Sequence, residues 1–437
     1  MLLRRLLIPL LAVCASPVVA EPDAGEPVRA LAQEHVVVGE SPDPKNVPLY
    51  SPTILRLDSG RLVAGYTRFA KDDAPKREIL LSSDDGGRSW QTRAELPHLQ
   101  GRVFRAGKAL YYIATGAGLP IWRSDDEGLT WSGGGLLTSK DKVWQQTPAN
   151  VWHTRGHVYL AYERASARID AWGPSEKALV LLRAPETEDL TRPAAWTFSS
   201  ELVFADVLPG VRENRPELDF VGIPFFPQAY PGRLRLDGRR SMSPIGWVEP
   251  NVVQITDPNH YWFDPSGRTF HLLARAHTGG TGFACLTKVV EGPDGAMTMS
   301  LETAPSGKKM LFLPVPGGHL RFHLLYDQTT RLYWLLGSQP TDSMTRVDRL
   351  SPDRYDLPNN ERHRLVLHFS RNLVDWCFAG LVAKTDHARQ ARHYASMEID
   401  GDDLVILSRS GDARAKSAHD GNLITFHRVK GFRDLVY

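Results

Sequence analysis

Ser83-Asp84-Asp85-Gly86-Gly87-Arg88-Ser89-Trp90 is repeated further on as Ser124-Asp125-Asp126-Glu127-Gly128-Leu129-Thr130-Trp131; both fit S-x-D-x-G-x-[ST]-W. The pattern describes a hairpin turn. The Asp carboxylate accepts the N–H groups of the turn, the Gly permits positive φ, and the Trp supplies a flat packing surface. A degenerate copy, Ser370-Arg371-Asn372-Leu373-Val374-Asp375-Trp376, follows later. A turn written three times points to a repeating unit rather than to a catalytic centre.

Working outward, the units around these turns share one plan. An apolar strand follows a short polar or Pro start, then a Gly-containing turn, then a second apolar strand. Tyr50-Ser51-Pro52 leads into Thr53-Ile54-Leu55, turns at Asp58-Ser59-Gly60 and returns through Leu62-Val63-Ala64. Similar copies begin near Gly101, Thr147, Glu249, His319 and His393. Short strands repeating at this interval are the signature of a β-propeller, so the expectation is an all-β, six-bladed β-propeller. A seventh blade would have to lie in 201–245, a stretch rich in Pro, Gly and Arg that reads as a long loop. Val36-Val37-Val38 is expected to close the ring against the last blade, since closure removes unpaired strand edges. With 36 Gly, 31 Pro and 40 aromatic residues (11 Trp, 13 Tyr, 16 Phe), the composition suits frequent chain reversal.

Charge narrows the partners. Against 52 Lys+Arg stand 50 Asp+Glu, which leaves no basic bulk for nonspecific nucleic-acid binding. Met1 to Ala20 reads as an export signal: Arg4 and Arg5, an apolar run from Leu6 to Val13, and small residues at Val18 and Ala20. Cleavage before Glu21 removes two Arg and no acid, leaving a formally neutral single domain over 21–437 in the periplasm or outside the cell. Cys14 opens a lipoprotein alternative, against which Val13 stands where a smaller residue is usual. No later apolar run is long enough for a transmembrane segment. Cys285 and Cys377 then remain, read as two separate buried thiols with pairing left open. The histidines show no metal-binding spacing, and no metal or cofactor is expected.

Antiparallel geometry separates two faces. Starts of first strands and ends of second strands share one; the turn motifs lie on the other. The first face collects Tyr50, Arg68, Thr147, Arg164, Glu249, Arg275, Arg362, Tyr394 and Arg409, with Asp72 and Asp73 in the loop after Arg68. Arg suits bidentate capture of a carboxylate or sulfate, so an anionic partner is expected.

The turn motifs resemble the Asp boxes of the sialidase (neuraminidase) superfamily, and the resemblance spans nearly the whole mature chain. It implies a propeller glycosidase, an anionic glycan as the partner, and a set of site residues. An inner-strand Glu followed by a substrate-binding Arg matches Glu249 in Trp247-Val248-Glu249-Pro250-Asn251, and Arg275. A further Arg ahead of an Asp box matches Arg362, and a Tyr before a final Gly turn matches Tyr394 in Tyr394-Ala395-Ser396-Met397. The acid/base Asp of the family falls at Asp72 or Asp73. Tyr394 would be the nucleophile and Glu249 the acceptor of its proton. Arg68, Arg409, Tyr50 and His393 are expected around the substrate. One departure stands out: Leu49-Tyr50-Ser51-Pro52 puts Tyr50 where the family's first Arg belongs, which leaves the identity of the sugar open. Two other readings share the same face, a uronate lyase with a Tyr or His base and a carbohydrate-binding propeller without catalysis.

Overall fold

The computed structural model describes residues 28–69, 76–145, 149–166, 173–208, 210, 234–235, 241–242, 245–278, 282–342, 345, 349, 361–387 and 390–437. Asp72, Asp73, Thr147, Cys14 and the expected export signal lie outside the described residues.

The chain is an all-β propeller. Four sheets each carry a run of four antiparallel strands. The first comprises Leu49–Arg56, Leu62–Arg68, Arg77–Ser83 and Gln91–Leu96. Another comprises Gly246–Val253, Thr269–His277, Phe283–Glu291 and Met297–Ser300, with Phe312–Pro314 added beside Phe283–Glu291. The next holds His323–Asp327, Leu332–Ser338, Arg364–Ser370 and Cys377–Lys384. The last holds Arg392–Asp400, Asp403–Ser410 and Leu423–Val429, and takes Val36–Glu40 from the start of the chain as its outer strand. Between the first and second of these, a ten-stranded sheet contains two further runs, from Leu99–Ala106 to Ser132–Leu136 and from Trp152–Thr154 to Thr197–Phe198. Val143–Gln145 joins them by pairing with a strand of each. Among the described residues the one α-helix is Phe204–Val207, and no helix is long and apolar enough to cross a membrane.

Second strands such as Leu332–Ser338 are buried along their whole length, being covered by neighbouring sheets on both faces, so they read as continuous rather than alternating apolar runs. Trp247 is fully buried between two of these runs, and its indole N–H donates to the Lys177 carbonyl at 2.8 Å. The turn motifs work as anchors. Asp85 Oδ1 accepts the N–H groups of Arg88 and Ser89, each at 2.9 Å, and Trp90 Nε1 donates to the Gly87 carbonyl at 3.1 Å. Asp126 and Trp131 repeat the arrangement. In the degenerate copy the Asn372 amide oxygen takes the carboxylate's part, accepting from Val374 and Asp375. Cys285 and Cys377 are free thiols; only Cys285 is buried, because Cys377 begins an outer strand.

Two devices on the innermost strands position everything that follows. The first is a bulge. Register slips between Tyr50 and Thr53, Leu99 and Arg102, Val248 and Asn251, and His393 and Ser396. Each slip contains a left-handed residue: Ser51 (φ 48°), Gln100 (50°), Glu249 (58°) and Tyr394 (49°). Holding a non-glycine residue there costs about 1–3 kcal/mol, which the surrounding packing must offset. The second is a belt of side chains running from one inner strand to the next. Thr53 Oγ1 accepts from Val103 N at 3.3 Å; Asn150 Oδ1 accepts from Val252 N, Asn251 Oδ1 from Leu324 N, and His323 Nδ1 from Met397 N, each at 2.8 Å.

Gly87 ties the first turn motif to ring closure: at φ 92° a Cβ there would stand 2.4 Å from the Phe426 ring of the last sheet. Gly87→Ala is expected to lower unfolding free energy by about 2–4 kcal/mol through strain and overpacking, measured by denaturant titration. Glu78 gives a pH signature. It is fully buried, takes one hydrogen bond from Thr67 Oγ1 at 2.6 Å, and burial pushes its carboxyl up to about 8. The folded state therefore holds a proton that the unfolded chain releases near about pH 4.3. This contribution to stability is lost as pH rises from there to about 8. Glu78→Gln should flatten that fall, read as unfolding midpoints between acid and mildly alkaline pH.

Candidate active site

The bulges deliver Glu249 and Tyr394 to the same end of the ring, where second strands end. Arg275 stands across from Val248 and Arg409 across from His393. Arg275 Nη1 donates to the Tyr394 hydroxyl at 3.0 Å and faces Glu249 Oε2 at 3.5 Å. Its remaining nitrogens are held by the His319 carbonyl (2.8 Å) and His277 Nε2 (3.2 Å). The Arg409 guanidinium is stacked between two phenol rings, 3.9 Å from the centroid of Tyr394 and 4.1 Å from that of Tyr50. Arg362 lies 5.2 Å and Arg321 5.7 Å from the Tyr394 centroid. Arg321 Nη1 also donates to the carbonyls of Tyr394 and Ala395, at 2.9 and 3.1 Å, so it fixes the bulge itself.

Four guanidinium groups thus surround one phenol, and none is more than 3% exposed. Glu249, 1% exposed, is the carboxylate placed among them, and its Oε1 has no hydrogen-bond partner among the described residues. Lys177 and Glu163, 3.7 Å apart and fully buried, balance one another nearby. Burial pushes the Arg362 guanidinium down to about 10, with Arg275 and Arg409 adding to the effect, which still leaves it charged at neutral pH. Burial and then Arg362 and Arg409 push His393 well below its ordinary range; the neutral ring accepts from Arg362 Nη1 at 2.9 Å. Uncompensated buried charge costs several kcal/mol per ion. The arrangement is built to hold an anion, and the planar forks favour carboxylate or sulfate.

Of the residues expected here, the structure brings together Tyr394, Glu249, Arg275, Arg362, Arg409, Tyr50 and His393. Direct contact between Tyr394 and Glu249 is replaced by a bridge: both meet the same Arg275 nitrogen. Arg68 is not in this group; it reaches Tyr66 of its own strand. Arg164 is paired with Glu201. Tyr50 does more than occupy an arginine's place, since its hydroxyl donates to Asp420 Oδ1 at 2.5 Å. Three contributors were not singled out from the sequence: Arg321, His419 and Asp420. Arg321 stands two residues before the belt residue His323, just as Glu249 precedes Asn251 and Tyr394 precedes Ser396. His419 and Asp420 lie in the loop after Arg409, the counterpart of the loop after Arg68.

Fold and site together define a β-propeller with a cationic, phenol-bearing site around its axis. No family model and no curated protein matches the chain. Among solved structures it is similar to the Hadza microbial sialidase Hz136, at 12% identity and TM-score 0.51, over 91% of this chain and 68% of that one. It is equally similar to a protein of unknown function from Dyadobacter fermentans DSM 18053, at 12% identity and TM-score 0.51, over 92% of this chain and 99% of that one. An α-L-arabinanase of Penicillium chrysogenum complexed with arabinobiose aligns at 10% identity and TM-score 0.48, over 93% and 99% of the two chains. The two likenesses at 0.51 establish the propeller; the chemistry rests on the residues described above.

Anion binding here should stabilise the fold. Sulfate or a free sugar acid is expected to raise Tm where chloride at equal ionic strength does not. At a hundredfold excess over Kd the gain is about 2.7 kcal/mol. Arg409→Met should remove most of it, as read by thermal shift.

Proposed function

We propose that this chain is an exported, sialidase-like retaining exo-glycosidase that releases a terminal anionic sugar from glycans. The observation that carries this reading is Tyr394 and Glu249, both in left-handed bulges and both held on one nitrogen of Arg275. A phenol is a weak nucleophile near neutral pH, its reference pKa being about 10. Glu249, which shares the Arg275 nitrogen with the phenol, closes to hydrogen-bond distance and takes the proton as the phenol oxygen attacks the anomeric carbon. The glycosidic bond breaks with its electron pair going to the leaving oxygen, which is protonated by the acid expected at Asp72 or Asp73. Water then releases the sugar with net retention. A neutral phenol also approaches an anionic sugar without bringing a second negative charge, while Arg275, Arg321, Arg362 and Arg409 hold the substrate's anion. The solved sialidase with the same fold supports this substrate class.

The ring is read as six-bladed, the ten-stranded sheet being two neighbouring blades. Equivalent belt residues support the count: Thr53, Arg102, Asn251, His323 and Ser396 on the first strands of five runs, and Asn150 just ahead of Trp152–Thr154 in the sixth. Export follows from the Met1–Ala20 segment.

Tyr394→Phe is expected to lower release of methylumbelliferone from its N-acetylneuraminide or glucuronide by at least about a thousandfold with Tm little changed. Full turnover by that variant would sink the reading. The neutral His393 ring, edge-on to Tyr394 at 5.1 Å, favours a uronate lyase as second reading. Growth of unsaturated-uronate absorbance from a polyuronate would establish it, because hydrolysis produces none.

A further inference from the structure

We infer that His419, oriented by Asp420, is a further catalytic group of this site, the base that takes a proton from the water releasing the sugar from Tyr394. The inference rests on the Tyr394 reading above. His419 lies in the loop joining Asp403–Ser410 to Leu423–Val429, and both its backbone and its ring are fixed. Its carbonyl accepts from Arg409 Nη1 at 3.1 Å, and its Nδ1 lies 2.8 Å from Asp420 Oδ1. That oxygen also receives the Tyr50 hydroxyl. Because a carboxylate only accepts, Nδ1 carries the hydrogen, and the lone pair is left on Nε2. No hydrogen bond to Nε2 is found among the described residues.

Placement adds a second argument. The ring stands edge-on to Tyr394, with centroids 6.2 Å apart at 87°, and 6.5 Å from His393. Its side chain is 37% exposed, whereas Tyr394 is 7% exposed and the surrounding arginines at most 3%. Of the described groups in ring contact with the phenol, His419 is the most exposed to water. The charged and titratable groups facing it are Arg362, Arg409, His393, Asp420, Tyr50 and Tyr394. Burial, opposed by the hydrogen bond to Asp420 and aided by Arg362 and Arg409, pushes the ring below its ordinary range, so it is neutral and able to accept a proton at neutral pH.

The step balances within the site. Water oxygen bonds to the anomeric carbon while one of its protons passes to His419 Nε2. The bond from that carbon to the Tyr394 oxygen breaks, its electron pair returning to the oxygen, which recovers the proton held by Glu249. His419 then yields its proton to solvent, and the acid that protonated the leaving oxygen takes one back from solvent, which resets the site. This also gives Tyr50 a part to play where the resembling family has an arginine: it is a positioning residue for the Asp420–His419 pair.

The test uses the full chain and the methylumbelliferyl glycoside that the wild type turns over. His419→Ala should release one equivalent of methylumbelliferone in a burst and then turn over about a hundredfold more slowly. Azide, a nucleophile with no proton to lose, should restore turnover and yield the glycosyl azide. The wild-type kcat should fall on the acid side of histidine's ordinary range, where the base form is lost, and this limb should vanish in the variant. Turnover within threefold of wild type, or slow turnover without burst or azide response, overturns the inference. If His419→Ala does not fold, His419→Gln must give the same burst and azide response. Full turnover by Tyr394→Phe, or no turnover of either glycoside by the wild type, fells the underlying reading instead, and this inference with it.

Discussion

An inner strand of a propeller has one edge with no strand to pair with, and its N–H and carbonyl groups there must be satisfied in some other way. In this chain side chains meet the demand. Thr53, Asn150, Asn251 and His323 each accept a backbone N–H from a neighbouring inner strand. Arg102 spans further, donating to the Ala149 carbonyl at 3.2 Å and to Ser396 Oγ at 2.6 Å. The belt fixes the register of each inner strand relative to its neighbour. Glu249, Arg321 and Tyr394 each stand two residues before a belt position, so the same bonds that hold the ring together aim the site. The geometry of the site is inherited from backbone satisfaction.

The site stores energy in two forms. The bulges keep Glu249 and Tyr394 in a backbone region that side chains avoid. The guanidiniums of Arg275, Arg321, Arg362 and Arg409 sit almost without water, with Glu249 among them and Asp420 beside Arg409 as acids of the described residues. Both are costs to the empty protein. A bound anion relieves the second, and the first keeps donors and acceptors in place before substrate arrives. The phenol ring also serves as a surface for Arg409, so a Tyr at this position presents a hydroxyl and places a cation at once.

Much of the fold was legible in the sequence because it is written in repeats: the Asp85 and Asp126 turns, the apolar second strands, and the closing strand at Val36. Arg275 and Arg409 were legible from strand ends, although the same rule also picked Arg68 and Arg164, which lie elsewhere. Strand alternation carries no sign of a bulge, so Tyr50 was expected at the position equivalent to Glu249 and Tyr394. The structure gives that position to Ser51, and the one-residue slip sends the Tyr50 hydroxyl to Asp420 instead. Arg321 was passed over because it lies ahead of its strand, where no alternation marks it. His419 and Asp420 lie in a loop, where neighbours are set by tertiary contact rather than by local pattern.

The last sheet is assembled from both ends of the chain: Val36 faces Phe426 and Glu40 faces Leu423, partners separated by nearly the whole polypeptide. Contacts so distant in sequence form late, after the intervening chain has collapsed. That sheet also bears Tyr394 and Arg409. Tyr394 and Arg409 therefore belong to the final unit to be completed, and a chain lacking its tail would have most of the scaffold without the centre of the site. Until the amino-terminal strand docks, Leu423–Val429 presents a bare, largely apolar edge, the most hazardous surface the molecule passes through on its way to the native state.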